Sequence, residues 1–118
     1  MASQPRFPLA RAQRIRKRPD FVRIQASSAR VSTRHLLLLL ALAPPGAPRL
    51  GVVASRKVGK AVVRNRAKRL VREAFRLHSG AFPQGLDIVI IVRPGTHLAS
   101  AGDLGEELAR RAAELTAR

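Results

Sequence analysis

The chain contains no cysteine, tryptophan or tyrosine, and only four phenylalanines. Without cysteine it can form neither a disulfide framework nor a thiolate metal site, which is typical of a protein from a reducing compartment. Its longest apolar run, 36–43, is far shorter than the roughly 20 residues of a membrane-spanning helix. Residues 1–13 lack the apolar stretch of a signal peptide. These absences predict a soluble, cytoplasmic protein with no membrane partner.

Acidic residues are also scarce, with 7 Asp+Glu against 23 Lys+Arg and a formal net charge of +16. Residues 1–86 carry 19 basic and 2 acidic side chains, whereas residues 87–118 carry 4 basic and 5 acidic ones. Self-repulsion of this size destabilises a compact monomer unless a partner or salt screens it. Nucleic acid, bound through its phosphates, is therefore the favoured partner. A membrane surface is the less favoured one.

The stretch 57–76, KVGKAVVRNRAKRLVREAFR, separates at the helical period into an apolar stripe and a cationic face. We expect a helix that begins near 59–60, runs to about His78 and stops at 79–80. The stripe consists of Val63, Ala67, Leu70, Ala74 and Leu77. The opposite face consists of Arg64, Asn65, Lys68, Arg69, Arg72 and Arg76. Because cations one turn apart repel each other, this face predicts a surface for a phosphate backbone.

Other patterns predict the remaining elements. A short helix is expected to begin near Pro19, to bury Phe21 and Ile24, and to end around 27–28. The leucine-rich run 31–43 covers one strand or two. It is expected to pair as a hairpin with 50–55, across a Pro- and Gly-rich turn at 44–48.

The C-terminal part is predicted to contain one strand and one helix. The β-branched run 88–92 is typical of a strand buried on both faces. The spacing of Ser100 and Asp103 predicts a capping box before a last helix. The apolar seam of that helix consists of Leu104, Leu108, Ala112 and Leu115.

The residues argue against catalysis by the protein's own side chains. The Gly-Lys pair at 59–60 resembles the end of a phosphate-binding P-loop, but Ala61 and Ala54 replace the hydroxyl residue and the first glycine of that motif. The three histidines are scattered, without the spacing of metal ligands. Two carboxylates before residue 87 cannot form the cluster that a two-metal nuclease needs. Another component is therefore expected to supply any chemistry.

The segment 54–73, ASRKVGKAVVRNRAKRLVRE, closely resembles the signature of the bacterial ribonuclease P protein component, whose central element is the Arg-Asn-Arg found here at 64–66. Upstream, 14–21 (RIRKRPDF) is similar to the N-terminal segment and first helix of that family. Downstream, 90–95 (IIVRPG) is similar to its last strand and exit turn. The resemblance covers about residues 14–115 in consistent order.

The resemblance implies an α/β sandwich in one RNA-binding domain, 14–118, after a flexible basic arm, 1–13. The implied order is α-β-β-(β)-α-β-α, with a left-handed βαβ crossover where topology rules favour a right-handed one. In this family the RNA subunit of the ribonucleoprotein endoribonuclease cleaves the 5′ leader from precursor tRNA, with Mg²⁺ held mainly by the RNA. The protein, non-catalytic and monomeric by itself, binds that RNA and the leader.

Site residues follow from the resemblance, position by position. Those expected to contact the catalytic RNA are Lys60, Arg64, Asn65, Arg66, Lys68, Arg69 and Arg72. Those expected around a leader-binding cleft are Phe21, Arg34, Ser55, Arg56, Lys57 and Arg93. Three assignments have an alternative: Asn65 could brace the helix start, Arg66 could brace the crossover, and Phe21 could be a core residue.

The sequence departs from the family at Gln25, Leu36 and Leu38, which stand where relatives tend to carry aromatic residues. A cleft poor in aromatics should hold the leader by charge and shape more than by stacking. We therefore expect a steep salt dependence and a weak preference for leader sequence. The alternative function is a general or ribosomal RNA-binding protein without a processing role. A DNA-compacting or membrane-surface protein is a third class.

Overall fold

Three helices and a four-stranded sheet make up residues 14–26, 29–43, 46 and 48–116, the part of the chain described by a computed structural model. The helices are α1 (Arg18–Gln25), α2 (Ala61–His78) and α3 (Ala101–Thr116). The strands are β1 (Arg30–Ser32), β2 (Leu36–Leu42), β3 (Arg49–Val53) and β4 (Leu86–Val92). The expected α/β class and element order are confirmed, and the leucine-rich run contains two strands. The expected arm, 1–13, lies outside the described residues.

Local signals set the helix bounds. Pro19 lies in the first turn of α1, as expected, and α1 ends at Gln25, before the predicted bound at 27–28, which lies outside the described residues. The predicted range of α2 is correct to within a residue or two at its start. At the start of α3, the Asp103 N–H donates to Ser100 Oγ at 3.0 Å, which is one of the two hydrogen bonds of the predicted capping box.

The strands lie in the order β1-β2-β4-β3, with β4 antiparallel to β2 and parallel to β3. The predicted hairpin between β2 and β3 is therefore wrong, because β4 lies between them. Most of the predicted turn at 44–48 lies outside the described residues. Beside it, Ala43 N–H donates to the Gly85 carbonyl and Gly85 N–H to the Gly46 carbonyl, each at 2.9 Å. Strand β4 lies between β2 and β3, so both of its edges are paired. Its sequence is almost wholly apolar, which suits a strand that is covered on both faces.

Helix α2 connects the parallel strands β3 and β4 and so forms the expected βαβ crossover. Its left-handedness remains a prediction. Because β3 and β4 run in the same direction, their carboxyl ends meet at one edge of the sheet. The residues that follow the two strands are thereby brought together.

The sheet is covered on both faces. On one face, α2 and α3 pack against alternate strand residues such as Leu38 and Ile90. On the other face, α1 and the segment before it cover a smaller cluster. Its buried members are Ile15, Ile24, Leu39 and Val89. The prediction that β4 is buried on both faces is confirmed, since Ile90 belongs to the first cluster and Val89 to the second.

The buried arc of α2 differs from the predicted stripe at its C-terminal end. Leu77 is 50% exposed, whereas Val71 and Phe75 are fully buried. The reason is that α2 packs against the sheet and α3 together, so its core side is rotated toward Val71. Phe75 also meets Phe82 in the following turn, with ring centroids 5.5 Å apart. The other four members of the predicted stripe are buried or half-buried, as expected.

A buried carboxylate ties α1 to the sheet. Asp87, at the start of β4, accepts hydrogen bonds from Arg49 Nε at 2.8 Å and Nη2 at 2.7 Å. It also accepts one from Arg23 Nη2 at 2.5 Å. Burial raises the pKa of Asp87, but the hydrogen bonds from Arg49 and Arg23 outweigh it, so the net shift is downward. This ion pair fixes the last turn of α1 against the sheet.

Candidate RNA interface

The predicted RNA-contacting residues all lie on α2 or directly before it. Those that are exposed are Lys60, Asn65, Arg66 and Arg69. Those that are half-buried are Arg64, Lys68 and Arg72. They occupy the broad arc of α2 that the core leaves uncovered, and we call this surface the cationic face. Its backbone is held in place by the packing of α2 on the sheet and on α3.

Arg14 extends the cationic face, although the sequence did not single it out as a site residue. Its backbone bridges to Leu50 of β3. Burial lowers the pKa of Arg72, and the nearby positive charge of Arg14 lowers it further. Among the described residues, the Nε atoms of Arg14 and Arg64 are buried without a hydrogen-bond partner. A bound phosphate would relieve the repulsion between such closely placed cations.

Arg66 and Asn65, for which alternative roles were left open, differ in their contacts. Arg66 Nε donates to the His97 carbonyl at 3.1 Å, so this side chain braces the turn that follows β4 while the residue stays exposed. Asn65 is exposed, and its side chain makes no hydrogen bond within the described part of the chain. Arg66 therefore contacts the turn after β4, and the RNA contacts of both residues stay predictions.

A second surface, which we call the cleft, lies on the sheet face that α1 covers only in part. Its floor is a row of half-buried aliphatic side chains: Leu37 lies opposite Ile91, and Ile91 lies beside Val53. Beside this row runs a groove of about 400 Å³. The groove is lined by Arg16, Arg18, Phe21, Val22, Gln25 and Val53. The cleft therefore combines an aliphatic floor, one aromatic ring and two arginines.

Phe21 packs against the core and also lines the groove of the cleft. It is half-buried, and its ring lies so close to Gly51 that a Cβ added there would be 2.6 Å from Phe21 Cε1. The same residue lines the groove, as does Gln25 one turn later. Gly51 is needed here because of this close approach.

Leu36 and Leu38, two of the positions where relatives tend to carry aromatic residues, do not face the cleft. Both are fully buried against α2 and α3, on the opposite face of the sheet. Because side chains alternate along a strand, the cleft-facing residues of β2 are Leu37, Leu39 and Ala41. The cleft still has an aliphatic floor, but the leucine run contributes Leu37 and Leu39 to it.

The remaining predicted cleft residues gather at one edge of the sheet. β3 and β4 both end there, and β2 begins there, since Leu36 lies opposite Val92. The residues at this edge are Ser55, Arg56 and Lys57 after β3, Arg93 after β4, and Arg34 before β2. All of them are exposed except Arg93, which is half-buried.

Arg93 and Glu107 brace the turn between β1 and β2. Arg93 donates to the Thr33 carbonyl at 2.8 Å and to Ser32 Oγ at 2.5 Å. From α3, Glu107 accepts from Thr33 Oγ1 at 2.7 Å and from the His35 N–H at 3.0 Å, and its other oxygen lies 2.6 Å from His35 Nδ1. Burial raises the pKa of Glu107, but these hydrogen bonds lower it more, so the net shift is downward. Nothing in the sequence indicated the contacts of Glu107, because its partners are 72 to 74 residues away in the chain.

Two kinds of feature are absent from the described residues. No group of three or more His, Asp or Glu lies together there in a way that could hold a metal ion. Nor does that part of the chain contain a helix long and apolar enough to cross a membrane.

The fold and the two surfaces define a class, that of small basic α/β proteins suited to binding nucleic acid. Within this class, a family model described as Ribonuclease P matches residues 9–116. The chain belongs to the ribonuclease P protein component family. It is therefore a subunit of a ribonucleoprotein endoribonuclease, with a role in maturing the 5′ end of tRNA.

Individual relatives agree with this assignment. The ribonuclease P protein component of Desulfovibrio desulfuricans is 45% identical over 112 residues, which are 93% of this chain and 82% of the relative. That of Syntrophus aciditrophicus is 38% identical over 103 residues, 87% of each chain. The solved RNase P protein of Thermotoga maritima matches with a TM-score of 0.75 at 33% identity, covering 86% of this chain and 96% of the other. Family membership decides against a general RNA-binding protein without a processing role.

Proposed function

We propose that the protein binds RNase P RNA through the cationic face and guides the 5′ leader of precursor tRNA along the cleft. In this way it assists removal of the leader and formation of the mature 5′ end. The RNA holds the Mg²⁺ ions and carries the chemistry, and the protein contributes no catalytic side chain. By itself the protein is a cytoplasmic monomer.

The observation that carries this proposal is the continuity of the two surfaces. A 3₁₀ turn at Arg56–Val58 joins the edge of the cleft to the start of α2. Gly59, with φ of 146°, makes the sharp bend between them, a conformation that L side chains rarely adopt. A nucleic-acid strand that leaves the RNA-bound surface can therefore enter the cleft without crossing an uncharged gap.

The chemistry of each surface supports its assigned ligand. Arginine offers planar bidentate contacts to phosphate and lysine a mobile point charge, which suits the cationic face to a folded RNA backbone. The cleft offers charge at its rim and an aliphatic floor. Such a floor accepts any base and provides few hydrogen bonds that could read sequence.

The leader-binding role is tested by comparing the affinity of the assembled enzyme for precursor tRNA with and without its leader. We expect Arg34→Ala and Arg56→Ala each to weaken binding of the leader-bearing substrate by about tenfold, as for loss of one charge-assisted contact. Binding of leaderless tRNA should be unchanged. The matched control is Arg110→Ala, which removes an exposed arginine from α3. Equal losses with both substrates would contradict a leader contact.

A further inference from the structure

A groove of about 400 Å³ lies between α2 and the start of α3, on the side of the sheet away from the cleft. It is lined by Arg66, Arg69, Leu70, Glu73, Leu77 and Ala101. The two arginines belong to the cationic face, so the groove opens beside the surface proposed to meet RNase P RNA. The proposed function assigns no role to the other four residues.

The floor of this groove is apolar and partly open to solvent. Leu77 is 50% exposed and Leu70 is half-buried. The rim is partly fixed, because Arg66 is held by its hydrogen bond to the His97 carbonyl. An apolar slot beside arginine side chains suits a flat ring, since unstacked bases pack against guanidinium planes and aliphatic surface.

Glu73 gives the groove a specific polar group. It is one of only two acidic residues before residue 87, and it lies within the most basic segment of the chain. Arg76 Nη2 donates to one of its oxygens at 2.7 Å and Arg76 Nε to the other at 3.3 Å, while the Glu73 side chain stays 36% exposed. A carboxylate repels phosphate but accepts hydrogen bonds from amino groups on base edges.

We propose that this groove receives an unstacked nucleobase of RNase P RNA, whose amino group donates to Glu73. This inference rests on the proposed binding of that RNA by the cationic face. Cytosine, adenine and guanine each carry a suitable amino group, whereas uracil does not. The alternative role for Glu73 is purely structural, as the counter-charge of Arg76.

Glu73→Leu, which removes both the charge and the hydrogen-bond acceptor, separates these two roles by the sign of the effect. If Glu73 only balances charge, removing its negative charge should strengthen binding to every RNA. If it accepts a hydrogen bond from a base, affinity for RNase P RNA should fall by about tenfold. Affinity for poly-uridylate should in that case stay equal or rise. Stronger binding to both RNAs would overturn the proposal.

Blocking the groove gives a second test that identifies the base. Ala101→Leu fills the groove, and Ala113→Leu makes the same change at an exposed position of α3 outside it. RNase P RNA bound to each protein is probed with dimethyl sulfate and kethoxal. We expect wild type and Ala113→Leu to protect one unpaired base that Ala101→Leu leaves reactive, with the rest of the footprint unchanged.

The outcomes distinguish the failure of this inference from that of the proposed function. If wild-type protein leaves no footprint on RNase P RNA, the proposed function itself is wrong. If the footprint forms and is identical for Ala101→Leu and wild type, only the base-binding groove is refuted. Circular dichroism of each variant establishes that it is folded, and Glu73→Leu gives an independent result without filling the groove.

Discussion

At the scale of single residues, Gly51 determines where the Phe21 ring lies. The ring approaches the β3 backbone closely enough that any side chain at Gly51 would meet it. This contact leaves Phe21 half in the core and half in the groove. The position of the Phe21 ring therefore affects both the stability of the α1 side of the sheet and the shape of the cleft.

Gly51→Ala should therefore displace the Phe21 ring and lower the free energy of unfolding by about 1–3 kcal/mol, as for other overpacking substitutions. Leader-dependent affinity should fall with it. The matched control is Gly102→Ala in α3, where an added Cβ would have only one neighbour, Ser100 Oγ, at 3.7 Å. That change should raise stability by about 0.5–1 kcal/mol, because alanine favours a helix more than glycine does. Urea unfolding measures both, and equal effects would contradict the close contact at Gly51.

At the scale of secondary-structure elements, Glu107 connects α3 to the turn between β1 and β2. Its hydrogen bonds to Thr33 and His35 hold that turn, and Arg34 at the cleft edge is part of the same turn. The ion pair of Asp87 with Arg49 and Arg23 has the same function for α1. Both carboxylates stabilise the fold only while they are ionised.

The pKa values of Asp87 and Glu107 are lowered in the folded protein from ordinary values of 3.8 and 4.5. The stabilisation is therefore complete above the ordinary pKa and is lost as the pH falls below it toward the folded-state pKa. We predict that stability declines below about pH 4.5.

Glu107→Gln should reduce stability at pH 7 by about 1–2 kcal/mol and make the acid decline shallower. Glu106→Gln, at an exposed neighbouring position on α3, should do neither. Thermal unfolding across the pH range measures this. An acid decline that is the same in wild type and Glu107→Gln would contradict the contribution of Glu107.

The helices and strands also show how far local sequence patterns determine this fold. Local patterns were sufficient for α2, for β4 and for the Ser100 capping interaction, because each depends on neighbours within a few residues. The β2–β3 hairpin was predicted wrongly because the strand that separates the two comes more than thirty residues later in the chain. The sheet face of Leu36 and Leu38 could not be predicted, because a run of five leucines has no alternation that would distinguish its two sides.

The candidate site was predictable to the extent that it lies on one helix and at strand ends. The motif gave the cationic face, and the parallel pairing of β3 and β4 brings Ser55 and Arg93 to one edge. The sequence could not indicate Arg14 beside Arg72, the Glu107 brace or the groove beside Glu73. Each of these depends on contacts between distant parts of the chain.

At the scale of the whole molecule, the charge of +16 should make the leader interaction strongly dependent on salt. The cleft has one aromatic ring and several arginines, so charge is expected to contribute more than stacking. We predict that leader-dependent affinity falls steeply between low and physiological salt. It should depend only weakly on leader sequence.

Titrating the leader-bearing and leaderless substrates over a range of salt concentrations measures this dependence. Arg56→Ala should reduce the slope of log affinity against log salt by about 0.7, as expected for one phosphate contact to a single strand. Arg110→Ala should leave the slope unchanged. A flat salt response, or complete loss of leader affinity on Phe21→Ala alone, would show that stacking dominates instead.

The most direct test of the central claim is reconstitution of cleavage at low Mg²⁺. Purified protein is combined with RNase P RNA and a 5′-labelled precursor tRNA, with RNA alone and protein alone run in parallel. The variant Lys60→Ala/Arg69→Ala removes two exposed charges from the cationic face, and the control Arg110→Ala removes an exposed charge from α3, outside both surfaces. We predict cleavage at the mature 5′ end only with RNA and protein together, greatly reduced by the first variant and retained by the second. Equal cleavage with and without the protein, when both components are folded, would contradict the account.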